Sequence, residues 1–219
     1  KSIDMILCDL PYGTTACKWD NIIPFDKLWA QYERIIKDNG AIVLTASQPF
    51  TSALVMSNPK LFRYALIWDK VAITNPMLAK KQPTRCHEDI LVFYNKQPLY
   101  NAQMRVGTKW SRAGKKSHQT DTLGKSLLIN NGSDISDIKY PKSIITFSNA
   151  DKTRNTHPTQ KPTALFEYLI KTYTNEGDLV LDNCAGSFTT AEACFNTNRK
   201  AICIEKELKY YEIGVERMR

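Results

Sequence analysis

Six short apolar runs recur along the chain: IDMILC (3–8), AIVLT (41–45), YALIW (64–68), ILVFY (90–94), DLVLD (178–182) and AICIE (201–205). Their apolar character is continuous rather than alternating, which is the pattern of strands covered on both faces. Segments with helical spacing lie between several of them. PFDKLWAQYERIIKDNG predicts a helix over 24–40, with Leu28, Trp29, Tyr32, Ile35 and Ile36 on one face and a stop at Asn39-Gly40. TALFEYLIKTYTNEG (163–177) and TTAEACFNTNR (189–199) read the same way. Strands alternating with helices predict an α/β fold with a doubly wound, mostly parallel sheet.

A chain of 219 residues makes one large domain, or one domain with an insertion. Periodicity fades over 96–150, where basic and polar residues gather in KWSRAGKKSHQ (109–119) and INNGSDISDIKYPKS (129–143). A polar stretch this long inside an α/β domain is expected to be functional or mobile. It reads as an insertion anchored by Trp110, Leu127, Leu128 and Tyr140, dividing the domain into halves at 1–95 and 151–219.

Thirty basic residues against 22 acidic give a net charge of +8, which favours a polyanionic partner. No apolar run has the length of a membrane span, and no signal peptide is visible. None of the six cysteines forms a C-x-x-C pair, so no metal site is expected. Reduced thiols imply a cytoplasmic location. The chain opens on KSIDMILCDL, entering a buried strand at once, and so reads as a fragment or as a protein whose first residues are absent.

Two loops carry chemistry. After the first strand comes CDLPYG (8–13). An amino group conjugated with a nucleobase is a poor nucleophile. A carboxylate accepting one of its N–H bonds and a backbone carbonyl accepting the other would localise its lone pair. Asp9 and the Leu10 carbonyl supply these, Pro11 fixes the loop, and Tyr12 offers a ring to stack on a base. The plainer reading is that Asp9 caps a turn and Tyr12 fills core. The second loop, LVLDNCAGSFTTAEAC (179–194), has an acid at a strand end, a small-residue turn at Gly186 and a helix start. Glu205 ends the next strand, 23 residues after Asp182, where a ribose hydroxyl pair is usually held. The turn does not match G-x-G-x-x-G, which speaks against a dinucleotide oxidoreductase.

DLPYG resembles the [D/N/S]-P-P-[Y/F] motif of S-adenosyl-L-methionine-dependent amino-group DNA methyltransferases, in the arrangement where the catalytic motif precedes the cofactor motif. HPTQKPTALFEYLI (157–170) resembles the segment before their cofactor loop, LDNCAGSFTT their D-x-F-x-G-S-G-T-T loop, and NTNRKAICIEKELKYYEIG the strand and acid beyond it. The resemblance implies a Rossmann-like fold and methyl transfer to an exocyclic amine on a base flipped out of double-stranded DNA. It makes residues 1–95 the catalytic half, 151–219 the cofactor half and 96–150 the target-recognition region. Catalysis would fall to Asp9, Leu10, Pro11 and Tyr12. The cofactor would be lined by Asp9, Asp182, Cys184, Gly186, Ser187, Thr189 and Glu205, with Thr159 and Lys161 near its amino-acid end. Lys109, Arg112, Lys115 and Lys116 would meet phosphates.

The leading Asp of the motif favours adenine N6 over cytosine N4, in a restriction-modification or phage-encoded enzyme. A homodimer stays open, since dimers occur in related enzymes. Three departures stand out. Leu10 replaces the first proline, with its carbonyl still available. Phe188 occupies the position of the second glycine, where it would crowd the cofactor or strain the backbone. The strand and acid that usually precede IDMILCD are missing. The competing readings are an N4-cytosine, RNA or protein-amide methyltransferase, and a catalytically impaired DNA-binding relic.

Overall fold

The computed structural model describes residues 1–15, 17, 20–107, 137–149 and 160–219. These form two compact units, Lys1–Asn101 with Lys142–Arg219, and Ala102–Pro141. In the smaller unit, β5 (Arg105–Val106) pairs antiparallel with β6 (Ile138–Lys139), and Tyr140 lies exposed. The other proposed anchors, Trp110, Leu127 and Leu128, fall outside the described residues.

In the larger unit, seven strands form one sheet: β1 (Ile3–Asp9), β2 (Ile36–Ala46), β3 (Phe62–Thr74), β4 (Arg85–Phe93), β7 (Ile144–Thr146), β8 (Leu179–Asp182) and β9 (Lys200–Cys203). Their order is β7-β3-β4-β2-β1-β8-β9. Only β4 runs against its neighbours, so the sheet is mostly parallel, as expected.

Strands β3 and β9 are not covered on both faces as expected: β3 alternates toward solvent, and Ile67, Ile202 and Ile204 lie exposed. For β1 the continuous apolar run has a direct cause in the packing. Along β1, Ile6 and Cys8 face one core with Leu28, Trp29 and Tyr32 of α1 (Phe25–Ile35) and Phe50 and Leu54 of α2 (Phe50–Ser57). Met5 and Leu7 face the other, with Leu165, Phe166, Leu169 and Ile170 of α3 (Thr163–Tyr173) and Ala193 and Cys194 of α4 (Thr189–Asn196). Burying each large aliphatic contributes about 1.5–3 kcal/mol, so a polar residue at any of these positions would be costly. Helix α5 (Leu208–Arg217) closes the described chain. No helix among the described residues is long and apolar enough to cross a membrane.

One helix boundary differs from expectation. Helix α1 ends at Ile35 rather than at Asn39-Gly40, because Ile36 turns extended and pairs with Ile3. Asn39 and Gly40 lie within β2, where the register with β1 slips between Ile3 and Met5. Gly40 is needed for proximity: a Cβ there would stand 2.8 Å from the Asp4 carbonyl oxygen and 2.7 Å from Ile36 Cδ1. Pairing with β1 overrides the glycine stop signal.

Strand β3 carries a second irregularity, between Asp69 and Thr74. Val71 there has φ 64°, a left-handed conformation costly for a β-branched residue.

Candidate active site

Strands β1 and β8 are parallel neighbours, pairing Ile6 with Leu181. The chain leaving β1 returns through β2 on one side, and the chain leaving β8 returns through β9 on the other. The sheet reverses its winding between them, which is where α/β sheets open a crevice beyond their carboxyl ends. Asp9 and Asp182 end these two strands.

The loop after β1 is held from inside. Leu10 is buried, and the carboxylate of Asp20 accepts hydrogen bonds from the amides of Gly13 (2.8 Å), Thr14 (2.9 Å) and Thr15 (2.7 Å). Desolvation pushes the Asp20 carboxyl up, but the Thr15 hydroxyl and these amides outweigh it and hold it below its ordinary value. Tyr12 stacks on Phe50, with ring centroids 5.2 Å apart, and its hydroxyl donates to Asp9 Oδ1 at 2.9 Å. Burial, reinforced by the charges of Asp9 and Glu88, raises the Tyr12 phenol well above its usual value, so it remains a donor.

Asp9 also accepts from the Thr45 hydroxyl at Oδ1 and from Lys161 Nζ at Oδ2, the latter at 2.6 Å. Lys161 Nζ lies 3.4 Å from Glu88 Oε2, and Glu88 pairs in turn with Lys70. Burial pulls the Lys161 ammonium down, while the charges of Asp9 and Glu88 push it up; the net shift is upward, so the amine stays protonated.

The second loop is equally well braced. Asp182 is buried, accepting from the Cys184 amide at Oδ1 and the Thr190 hydroxyl at Oδ2. Desolvation drives its carboxyl up to about 6 despite those hydrogen bonds. Glu205 Oε2 accepts from the Gly186 amide (2.8 Å) and Oε1 from the Glu207 amide (2.7 Å). The guanidinium of Arg217 donates to the Ser187 carbonyl, the Thr189 and Thr163 hydroxyls and Glu192, tying α5 to the loop and to the starts of α3 and α4.

Phe188 has φ 62°, so it carries the strain expected of a side chain at a glycine position. It does not project into the crevice. Its ring is buried against α5, edge-on to Tyr211, over Gly214, where a Cβ would sit 2.4 Å from the ring.

Both loops open into one cavity of about 640 Å³, within the range that holds small-molecule ligands. It is lined by Asp9, Leu10, Pro11 and Tyr12 from the first loop and by Asp182, Cys184, Gly186, Ser187, Thr189 and Glu205 from the second. Lys161 lines it too, bound to Asp9 and Glu88. Thr159, Lys109, Arg112, Lys115 and Lys116 lie outside the described residues. Sequence reasoning missed Asp20, Thr45, Lys70, Glu88 and Arg217. Only Glu88 carried a signal, as part of a charged His-Glu-Asp run immediately before a buried strand core.

Residues 3–216 match a family model described as DNA methylase, of the N6/N4 type. Among curated proteins, the chain is 29% identical over 233 residues to the Type II methyltransferase M.HpaI of Haemophilus parainfluenzae, covering 99% of this chain and 68% of that protein. It is 25% identical to the DNA adenine methyltransferase YhdJ of Escherichia coli, covering 100% and 76%. Among solved structures it superposes on an M1.HpyAVI–SAM complex with a TM-score of 0.65 at 24% identity, over 100% of this chain and 89% of that one.

Proposed function

Because the chain belongs to the DNA methylase family of N6/N4 enzymes, we propose that it transfers a methyl group from S-adenosylmethionine to the exocyclic N6 amine of adenine at specific sites in double-stranded DNA, as a restriction-modification type enzyme of the cytoplasm. The observation that carries this reading is the single cavity at the sheet's switch point, shared by Asp9-Leu10-Pro11-Tyr12 and the Gly186–Glu205 loop. The leading Asp of the first motif and the name of the YhdJ relative favour adenine over cytosine.

The second loop suits a nucleoside cofactor. Glu205 keeps a lone pair on each oxygen beyond the two amides it binds, suited to a pair of ribose hydroxyls. Gly186 and Ser187 bring backbone to the cavity wall with little side-chain bulk. When bound there, S-adenosylmethionine would supply an electrophilic sulfonium methyl for the amine lone pair, with the neutral thioether as leaving group.

The first loop prepares that lone pair. Asp9 Oδ1 is committed to Tyr12 and Thr45, so Oδ2, with one lone pair beyond the Lys161 bond, is the acceptor for an amine N–H. Leu10 offers its carbonyl for the other N–H. Tyr12 lines the cavity and would offer its ring to the base. Asp9 then takes the proton that the nitrogen sheds on becoming cationic.

Duplex DNA incubated with the protein and S-adenosylmethionine, digested and read by nucleoside mass spectrometry, is expected to contain N6-methyladenine. N4-methylcytosine would overturn the choice of base. An Asp9→Ala variant is expected to bind the cofactor and transfer nothing; full activity in it would overturn the assignment of the site.

A further inference from the structure

Four charges of alternating sign line one wall of the cavity, Asp9 and Glu88 half-buried and Lys161 and Lys70 buried, with side-chain exposures of 21, 12, 8 and 7%. Lys161 is a fixed cation 2.6 Å from the carboxylate that, on the reading above, faces an amine nitrogen turning cationic. Left uncompensated, it would oppose the charge that develops during transfer.

We propose that Glu88 is a positioning residue for methyl transfer, holding Lys161 and cancelling its charge so that the charge of Asp9 serves the target amine. This rests on the assignment of Asp9 to the amine. Glu88 is placed for the task by register, opposite Trp68 in the β3–β4 ladder, with Lys70 two residues on from Trp68. Lys70 stands 5.1 Å from the Trp68 ring and pairs with the other oxygen of Glu88, keeping the carboxylate aimed at Lys161. The strained backbone at Val71 immediately follows Lys70, so the chain bends out of register once this lysine is in place. Glu88 reaches Lys161, Lys70 and, at 3.5 Å, the Tyr12 hydroxyl; it acts through them. With all four groups charged the wall is neutral. Without Glu88 it carries a net positive charge against a cationic transition state.

The test is steady-state and single-turnover methylation with the full chain. Glu88→Gln is expected to lower kcat about 10- to 100-fold, with KM for duplex DNA and cofactor affinity changed less than about threefold. Glu88→Asp, which keeps the charge, is expected to recover most of kcat. Glu88→Gln combined with Lys161→Met removes one charge of each sign and is expected to exceed the kcat of Glu88→Gln alone by about tenfold. A merely structural role would make the double variant worse than either single one, and that result would overturn the proposal. So would an unchanged kcat in Glu88→Gln while Asp9→Ala is inactive. Activity retained in Asp9→Ala would instead refute the reading of the site itself. Should Glu88→Gln not fold, Lys161→Met alone serves in its place. It leaves the wall net negative, so its kcat is expected to equal or exceed that of the charge-balanced double variant, and a Lys161→Met variant slower than the double would overturn the proposal.

Discussion

Replacing Phe188 with glycine sets two local energies against each other. The residue sits at φ 62°, where glycine is at ease and a side chain costs roughly 1–2 kcal/mol. Its ring, 8% exposed, fills the space above Gly214 and meets Tyr211 edge-on at 5.8 Å. Removing a buried phenylalanine ring costs about 3–5 kcal/mol. The ring term is the larger, so Phe188→Gly is expected to destabilise by about 1–4 kcal/mol, lowering Tm by roughly 2–15 °C for a domain of this size. Phe188→Ala keeps the strain and loses the ring, so it should fall about 1 kcal/mol below the glycine variant. Because the ring turns away from the cavity, cofactor affinity should stay within a few-fold of the parent in both. Thermal melts with and without S-adenosylmethionine, with calorimetric titration, read both quantities. A glycine variant more stable than the parent would show that strain outweighs packing here. A tenfold gain in cofactor affinity would show that the ring obstructs the site after all.

Three further outcomes follow from the loops and the sheet. The carboxyl of Asp182 titrates near 6 in the folded chain, above the ordinary 3.8, so the folded state binds its proton the more tightly. Its contribution to stability is therefore fully present below about pH 4 and lost as pH rises through 6. Relative to Asp182→Asn, the parent should lose on the order of 2–3 kcal/mol between pH 4 and 7 in denaturant titrations, and parallel pH curves would refute this. Asp20→Asn sets an NH₂ group against the Thr14 and Thr15 amides if its oxygen keeps Gly13; it should cost about 1–3 kcal/mol and slow methylation by freeing Tyr12, and unchanged kcat would refute it. The Asp20 carboxyl is held low, so the stability it confers is present above its unfolded pKa and is lost as pH falls through the folded one. Val71→Gly should raise stability by about 1 kcal/mol in the same melts, since the residue is exposed and its φ suits glycine; a loss would show that its side chain packs.

Strand β1 was legible because burial on both faces leaves no polar phase in Met5, Ile6, Leu7 and Cys8, but the same pattern misled about β9, whose apolar run is largely exposed. The loops were legible because each joins a strand end to residues of unusual type. The end of α1 was not, since Asn39-Gly40 is a local stop signal and the pairing of Ile36 with Ile3 is a long-range fact. The braces of the site escaped for the same reason. Glu88 and Lys70 meet Lys161 only once β4, β3 and the segment before α3 are assembled, and Arg217 meets Ser187 across 30 positions. The strain at Phe188 followed from comparing motifs, but the direction of its ring depends on Gly214, 26 residues later.

The position of β1 has a consequence for how the molecule comes into being. Its hydrogen-bonding edges are taken by β2 and β8, and Asp4 receives the Leu179 amide from 175 positions away. During synthesis, the strand bearing Asp9 emerges well before β8 and keeps one edge bare, with Met5 and Leu7 uncovered, until residues beyond 160 arrive. Such an edge is a hazard for misassembly, and closing so long a loop is slow. It also means that no partial product ending before Leu179 holds the site. Until those last strands dock, the cavity lacks the wall formed by Asp182, Gly186 and Glu205.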